Sequence, residues 1–184
     1  MNEVTIYIGD VYVSSTPAVV RTVLGSCIAA CLRDPRTGIA GMNHFMLPAH
    51  PNGGGEESPT RYGVHAMELL IGRIQRLGGE RGRLEAKIFG GGHVLQIAES
   101  LDSVPHRNMR FIQDFLRTEG IPIVAQDLGG RSARYVLFDT GSGRVRVKRL
   151  AGATLKIAAA EREHEREAQR ELEPSSNITL FEDI

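Results

Sequence analysis

Alternating apolar and polar positions predict that the first part of the chain is rich in β-strands. The segment Val4–Val13 alternates over most of its length, and Gly9-Asp10 interrupts it, which indicates a bend or a hairpin. Asp34–Gly38 is typical of a turn, because its proline fixes φ and its glycine ends the turn. Three further strands are predicted from short runs of β-branched and apolar residues: Ala18–Leu24, Ile28–Leu32 and Ile39–Leu47.

Two segments carry apolar residues at the three-to-four spacing that predicts an amphipathic helix. The first is Tyr62–Leu77, and Gly78-Gly79 ends it. The second is predicted from about Asn108, a favourable N-cap residue, to Gly120. The buried stripe of the first helix is expected to consist of Met67, Leu70, Ile74 and Leu77.

The remaining pattern predicts strands at Leu84–Phe89 and Ile121–Gln126, then a hairpin formed by Ala133–Phe138 and Arg144–Leu150. Helices and strands do not alternate regularly, so we expect an α+β domain with helices packed on one face of largely antiparallel or mixed sheet. This domain is expected to span residues 1–150. Residues 151–184 are predicted to be a highly charged extension, either a solvated helix or partly disordered, with a short apolar end.

The composition argues against a nucleic-acid-binding or membrane-spanning protein but does not indicate an activity. The 184 residues suit one domain, and 22 basic residues balance 22 acidic ones, so no net charge draws the protein to nucleic acid. No apolar run approaches the ~20 residues of a membrane span, and we expect the protein in the cytoplasm. The loop Pro48–Thr60, rich in proline and glycine, is predicted to be mobile and to flank any cleft beside His44. Cys27 and Cys31 are expected to be free thiols.

Candidate chemistry centres on Cys27, which follows Gly25-Ser26 between two predicted strands. A buried cysteine is often only a small apolar filler, and a histidine in an apolar strand is often a core residue. If the strand of His44 lies beside Cys27, however, the pair supplies a nucleophile and its base, and would lower the thiol pKa from about 8.5 toward neutrality. Backbone N–H groups at the Gly25-Ser26 turn could then bind an oxyanion.

Two other patterns in the sequence are weaker candidates for functional sites. Gly90, Gly91 and Gly92 lack the spacing of a dinucleotide-binding or phosphate-binding loop, so they either allow close packing or line a cleft. A zinc site built from Cys27, Cys31, His44 and one more ligand has only a weak spacing pattern, C-x3-C, in its favour.

Several segments resemble one known family in the same order along the chain. They are Leu24–Asp34 around the Gly-Ser-Cys turn, Gly41–Pro48 around His44, Arg61-Tyr62, Ala86–Gly91, Arg107-Asn108, Gly120–Ile123 and Asp127–Gly130. Together they are similar to the CheD family, the chemoreceptor glutamine deamidases of bacterial chemotaxis. The resemblance covers about Val4 to Leu150 and leaves the charged extension outside.

The resemblance implies an α/β/β sandwich similar to the deamidating domain of cytotoxic necrotizing factor toxins. It implies a catalytic cysteine and histidine at Cys27 and His44, and no metal or organic cofactor. The family's third catalytic residue is a threonine just upstream of the Gly-Ser-Cys turn. Thr22 is the candidate for it, although Arg21 stands where an ungapped alignment puts that threonine.

The implied function is deamidation of receptor glutamines to glutamate through a thioester on Cys27. The implied partners are the cytoplasmic helical regions of methyl-accepting chemotaxis receptors and a CheC-type phosphatase. Two alternatives remain open from the sequence. The protein could act mainly as a binding module that regulates such a phosphatase, or it could hydrolyse receptor glutamyl methyl esters by the same acyl chemistry.

Overall fold

The structure, a computed structural model, describes residues 2–48, 59–94, 103–150 and 163. Within these ranges the chain forms two α-helices, one short 3₁₀ helix at Arg81–Arg83 and nine strands. The helices are α1 (Pro59–Arg76) and α2 (Val104–Thr118). The strands are β1 (Asn2–Thr5), β2 (Val11–Ser14), β3 (Ala18–Leu24), β4 (Ile28–Arg33), β5 (Ala40–Phe45), β6 (Glu85–Gly90), β7 (Ile123–Leu128), β8 (Ala133–Asp139) and β9 (Val145–Leu150).

The strands form two mixed sheets. The four-stranded sheet has the order β1-β3-β8-β9, with β1 parallel to β3 and the other pairs antiparallel. The five-stranded sheet has the order β2-β5-β4-β6-β7, in which only β6 and β7 are parallel. The predicted α+β class is confirmed, as is the pairing of β4 with β5 across the turn Asp34–Gly38.

Three layers result, because both faces of the five-stranded sheet are covered. Every residue of β4 from Ile28 to Leu32 is buried. Ile28, Ala30 and Leu32 join the core that packs against α1 and α2. Ala29 and Cys31, on the other face, join the core between the two sheets. Burial on both sides explains why β4 is a continuous apolar run rather than an alternating one, and the layers form the expected α/β/β sandwich.

The first two strands, β1 and β2, do not form the interrupted strand or hairpin predicted at Val4–Val13. β1 belongs to the four-stranded sheet and β2 to the five-stranded sheet, so the chain crosses between layers over residues 6–10. Gly9 permits this crossing with φ of 89°. The carboxylate of Asp10 accepts a hydrogen bond from the backbone N–H of Tyr7, which stabilises the crossing turn.

Both helices differ at their ends from the prediction. α2 begins at Val104, with Ser103 at the N-cap position and Pro105 in its first turn, so the predicted start at Asn108 is wrong by about one turn. Asn108 is instead a buried residue inside the helix. α1 ends at Arg76, and Leu77, predicted to be part of the buried stripe, lies beyond the helix and is 49% exposed.

Some predictions fall partly outside the described residues. Most of the predicted loop at Pro48–Thr60 does so, although α1 already begins at Pro59. The charged extension, with the exception of Glu163, also lies outside them. Neither described α-helix is long and apolar enough to cross a membrane.

Candidate active site

Cys27 and His44 lie on the same face of the five-stranded sheet. In the β4–β5 ladder, His44 pairs with Ala29, and Cys27 stands two residues before Ala29. Cys27 lies in the bend just before β4, and its side chain joins the core between the two sheets, toward which the His44 ring also points to reach Thr22. Both are buried, with 0% and 4% of their surface exposed, and Cys27 packs in the core between the sheets. The structure thus places both side chains on the face of the five-stranded sheet that packs against the other sheet.

Thr22 reaches the same point from the opposite sheet. Its Oγ1 lies 2.8 Å from Nδ1 of His44 and 2.8 Å from the carbonyl oxygen of Ile6. A carbonyl only accepts, so the single hydroxyl hydrogen of Thr22 goes to Ile6 and the hydroxyl oxygen accepts the Nδ1–H of His44. This arrangement places the ring proton on Nδ1 and makes Nε2 the basic nitrogen of the neutral imidazole.

Arg21 has a different environment, although it occupies the position that an ungapped alignment gives to the threonine. Its guanidinium donates to the Thr5 hydroxyl and to the carboxylate of Glu3, both on β1, on the partly exposed outer face of the four-stranded sheet. Neighbouring residues of a strand face opposite sides, so Thr22 alone points between the sheets. The structure therefore brings Thr22, and not Arg21, to His44.

The crossing turn at residues 6–10 holds the backbone of His44. The N–H of Gly9 donates to the carbonyl of His44 at 2.8 Å, and the N–H of His44 donates to the carbonyl of Asp10 at 3.1 Å. The same turn supplies the Ile6 carbonyl that accepts the Thr22 hydroxyl. The sequence predicts only a bend here, whereas in the structure this turn orients both His44 and Thr22.

The turn that carries Cys27 is held through three consecutive carbonyl groups. The carbonyl of Gly25 accepts from the N–H of Gly92 at 2.7 Å, and that of Cys27 accepts from the N–H of Gly91 at 2.8 Å. Between them, the Ser26 carbonyl accepts from Nδ2 of Asn108 at 2.9 Å. Because each peptide unit is planar and trans, these bonds also fix the direction of the N–H groups of Ser26 and Cys27.

The Gly90–Gly92 triplet allows this close contact. Gly90 and Gly91 have φ values of 117° and 63°, in the region that favours glycine. A Cβ on Gly90 would lie 2.0 Å from the Cys27 carbonyl oxygen, and one on Gly92 would lie 3.1 Å from that of Gly25. Of the two interpretations left open, the structure supports close packing: the triplet lies directly against the backbone of the Cys27 turn.

Asn108 is the residue of this site that sequence reasoning missed. It is fully buried, and its Oδ1 accepts a hydrogen bond of 2.9 Å from the N–H of Leu47, three residues after His44. Its Nδ2 holds the Ser26 carbonyl, so one side chain contacts both functional segments. Its place in the Arg107-Asn108 motif was the available signal, but its N-cap propensity suggested a purely local role.

The second cysteine has no comparable surroundings. Cys31 is 2% exposed and packs in the core between the sheets, as predicted. Burial raises the pKa of its thiol well above the ordinary value, with partial opposition from the charge of Lys87. Cys31 is therefore a poor nucleophile. Among the described residues, no three His, Cys, Asp or Glu side chains are grouped closely enough to hold a metal ion.

Comparison with known proteins adds the family. A family model described as CheD chemotactic sensory transduction matches residues 46–149, more than half of the chain. The chain belongs to the CheD family. A Halorhodospira halophila relative is 41% identical over 179 residues, covering 94% of this chain and 82% of its own length. One from Caulobacter vibrioides is 50% identical over 144 residues, covering 78% and 75%.

These CheD relatives are named probable chemoreceptor glutamine deamidases. A relative of the same name from Bordetella petrii is 51% identical over 132 residues, and the chain spans 59% of its length. The family model begins just after His44 and therefore leaves out Thr22, Cys27 and His44, whereas the alignment with the H. halophila relative, which covers 94% of this chain, includes all three.

Proposed function

We propose that this CheD-family protein deamidates glutamine side chains of chemoreceptors, converting them to glutamate. The relatives' names support the substrate class. The observation that carries the chemistry is the Thr22–His44 hydrogen bond of 2.8 Å, made by a histidine that shares its sheet face with Cys27. That bond orients the basic Nε2 of the imidazole, and a cysteine beside an oriented base is the equipment of thiol acyl transfer.

In the first half of the reaction, His44 Nε2 takes the proton of the Cys27 thiol. The thiolate sulfur attacks the carbon of the substrate carboxamide and forms a tetrahedral intermediate with a negative oxygen. The peptide N–H groups of the Cys27 turn are assigned to that oxygen, and a positioned donor of this kind is worth about 3 kcal/mol. His44 then protonates the amide nitrogen, the C–N bond breaks, ammonia leaves, and a thioester remains on Cys27.

In the second half, His44 takes a proton from water, and the resulting hydroxide attacks the thioester carbon. The C–S bond breaks, the thiolate recovers its proton from His44, and the glutamate side chain is released. Thr22 keeps Nδ1 as a donor throughout, so Nε2 alone exchanges protons. Because Cys27 and His44 are buried, little water screens the thiolate–imidazolium interaction.

The test is mass spectrometry of a purified receptor fragment incubated with wild-type protein, Cys27→Ser and His44→Ala. Wild-type protein is expected to produce the mass gain of about 1 Da that accompanies conversion of an amide to an acid, and both variants are expected to lose it. Cys31→Ser is the matched control, since it replaces the other buried thiol, and it should retain the conversion. Full conversion by Cys27→Ser would disprove the thioester route.

The finer parts of the function remain predictions. Hydrolysis of glutamyl methyl esters would use the same nucleophile and base, and a methylated receptor fragment in the same assay distinguishes the two leaving groups. Binding to a CheC-type phosphatase should survive Cys27→Ser, because docking does not need the thiol. A cytoplasmic localisation follows if the substrate is the cytoplasmic helical region of the receptor.

A further inference from the structure

The β4–β5 ladder stops one step short of the Cys27 turn. Its last pair is Ile28 with Phe45. His44 makes its backbone hydrogen bonds to Gly9 and Asp10, on the side away from β4. Backbone groups along a strand alternate in direction, so those of Phe45 and Leu47 point toward β4. If the register continued, Leu47 would therefore face Ser26, and its N–H would donate directly to the Ser26 carbonyl.

The Asn108 carboxamide occupies the place of that hydrogen bond. Leu47 donates to Oδ1 at 2.9 Å, and Nδ2 donates to the Ser26 carbonyl at 2.9 Å. A carboxamide carries the same donor and acceptor as a peptide unit, so the Leu47 N–H and the Ser26 carbonyl are both satisfied without a direct backbone hydrogen bond between the two segments. The segments separate by about the width of one amide group at the residue before Cys27.

On its other side the same turn remains tightly paired. The Cys27 carbonyl accepts from the N–H of Gly91 at 2.8 Å, as a continued β4–β6 ladder would require. At Cys27, therefore, the chain is still hydrogen-bonded to the end of β6 but is no longer bonded directly to the segment that follows β5. We propose that Asn108 is a positioning residue, whose carboxamide sets the separation between the Cys27 turn and the end of the His44 strand. The proposal rests on the proposed function, because it concerns the geometry of that nucleophile and base.

The surroundings of Asn108 make this separation well defined. It is fully buried in α2, where Phe111, Ile112 and Leu116 anchor the helix in the core against the five-stranded sheet. Gly63 of α1 adds to the fit, since a Cβ there would lie 2.5 Å from the Phe111 ring. A side chain on a helix packed this closely has little freedom to shift, so the two hydrogen bonds hold the segments at a single spacing.

The experiment compares Asn108→Ala and Asn108→Leu with Asn43→Ala. Asn43 is a matched control: it is also fully buried, accepts from the Ala30 N–H at 3.1 Å, and donates to the Ala66 carbonyl at 3.1 Å and to the Met67 sulfur at 3.4 Å. One readout is the rate of iodoacetamide alkylation of Cys27 against pH, identified on the digested peptide. The others are kcat and KM for deamidation of the receptor fragment, with a thermal unfolding curve for every variant.

Both Asn108 variants are expected to shift the midpoint of the Cys27 alkylation profile by about one pH unit, a tenfold change in the thiol–imidazole equilibrium. The value of kcat should fall at least about 10-fold with KM within about 2-fold, because the loss affects the reacting groups. Asn43→Ala should lower thermal stability and leave the profile in place. Asn108→Leu preserves most of the side-chain volume, so the comparison holds even where the alanine variant unfolds.

Two results would overturn the assignment. One is a folded Asn108 variant whose alkylation midpoint is that of wild type and whose kcat lies within about 2-fold of it. The other is a midpoint shift of the same size in Asn43→Ala, which would show that any loss of packing in the core has this effect. The alkylation readout needs no substrate. A wild-type protein that fails to deamidate would therefore refute the proposed function alone, while a shifted profile would still support the role of Asn108.

Discussion

Replacing Thr22 with valine tests the hydrogen bond on which the proposed chemistry depends. Valine keeps the branched shape of threonine and removes the one oxygen that joins His44 Nδ1 to the Ile6 carbonyl, at 2.8 Å on each side. The substitution is buried, since Thr22 is 2% exposed, so water cannot readily replace the lost oxygen. The imidazole then has no acceptor at this point to hold its proton on Nδ1.

The expected magnitude follows from the charge that His44 carries during the reaction. Once it has taken the Cys27 proton it is an imidazolium, and a hydrogen bond to a charged group contributes about 1.5–3 kcal/mol. At about 1.4 kcal/mol for each factor of ten, kcat should fall about 10- to 100-fold. KM should stay nearly constant, because Thr22 contacts His44 rather than substrate. The unpaired Ile6 carbonyl should also lower the free energy of unfolding by about 1–2 kcal/mol.

The assay measures initial rates of ammonia release from a receptor fragment, together with the thermal unfolding of each variant. Thr22→Ser restores the hydroxyl and should return kcat to within about 3-fold of wild type, since the acceptor for Nδ1–H is regained. Thr140→Val is the matched control: its buried hydroxyl accepts from the Ala18 N–H at 2.9 Å, away from His44. The reasoning is refuted if Thr22→Val has the kcat of Thr140→Val.

Two further predictions concern the backbone contact of Gly90 with the Cys27 turn and the buried carboxylate of Asp34 at the other end of β4. Gly90→Ala should lower the free energy of unfolding by at least about 2 kcal/mol and reduce kcat, because its φ is 117° and the new Cβ would displace the Cys27 carbonyl. Gly120→Ala is the control: its φ is 67° and the space around it is open, so it should lower the free energy of unfolding by only about 1 kcal/mol and leave kcat unchanged. Equal effects of the two on kcat would contradict the close-packing role. The hydrogen bond from Arg83 holds the pKa of the Asp34 carboxyl below its usual range, against the opposing effect of burial. Its stabilising contribution is therefore fully present above pH ~4 and falls progressively as the pH drops toward the lowered pKa of the folded state. The deficit of about 2 kcal/mol expected for Asp34→Asn at neutral pH should accordingly shrink as the pH of the denaturation curves is lowered, and a constant deficit would refute this.

Local pattern was sufficient for most elements. β3 was predicted with both its bounds, and the turn between β4 and β5 with its closing glycine, because both depend on residues adjacent in sequence. The start of α2 was misplaced, since asparagine favours an N-cap wherever it is exposed. At Asn108 a contact with two strands distant in sequence outweighs that local preference. At Val4–Val13 the predicted interruption at Gly9-Asp10 is present, but its two strands belong to different sheets rather than to one strand or hairpin, because sheet membership depends on partners elsewhere in the chain.

By itself, the sequence determined the α+β class, the family and the candidates Cys27 and His44, because the residue types and their order carry that information. It offered Thr22 as the only candidate for the third residue, although an ungapped alignment puts Arg21 at that position. The tertiary structure shows which of the two side chains reaches His44: strand alternation turns Thr22 to His44 and Arg21 to the outer face of the four-stranded sheet. The structure alone also revealed Asn108 and the crossing turn, since their roles are hydrogen bonds between segments that only folding brings together.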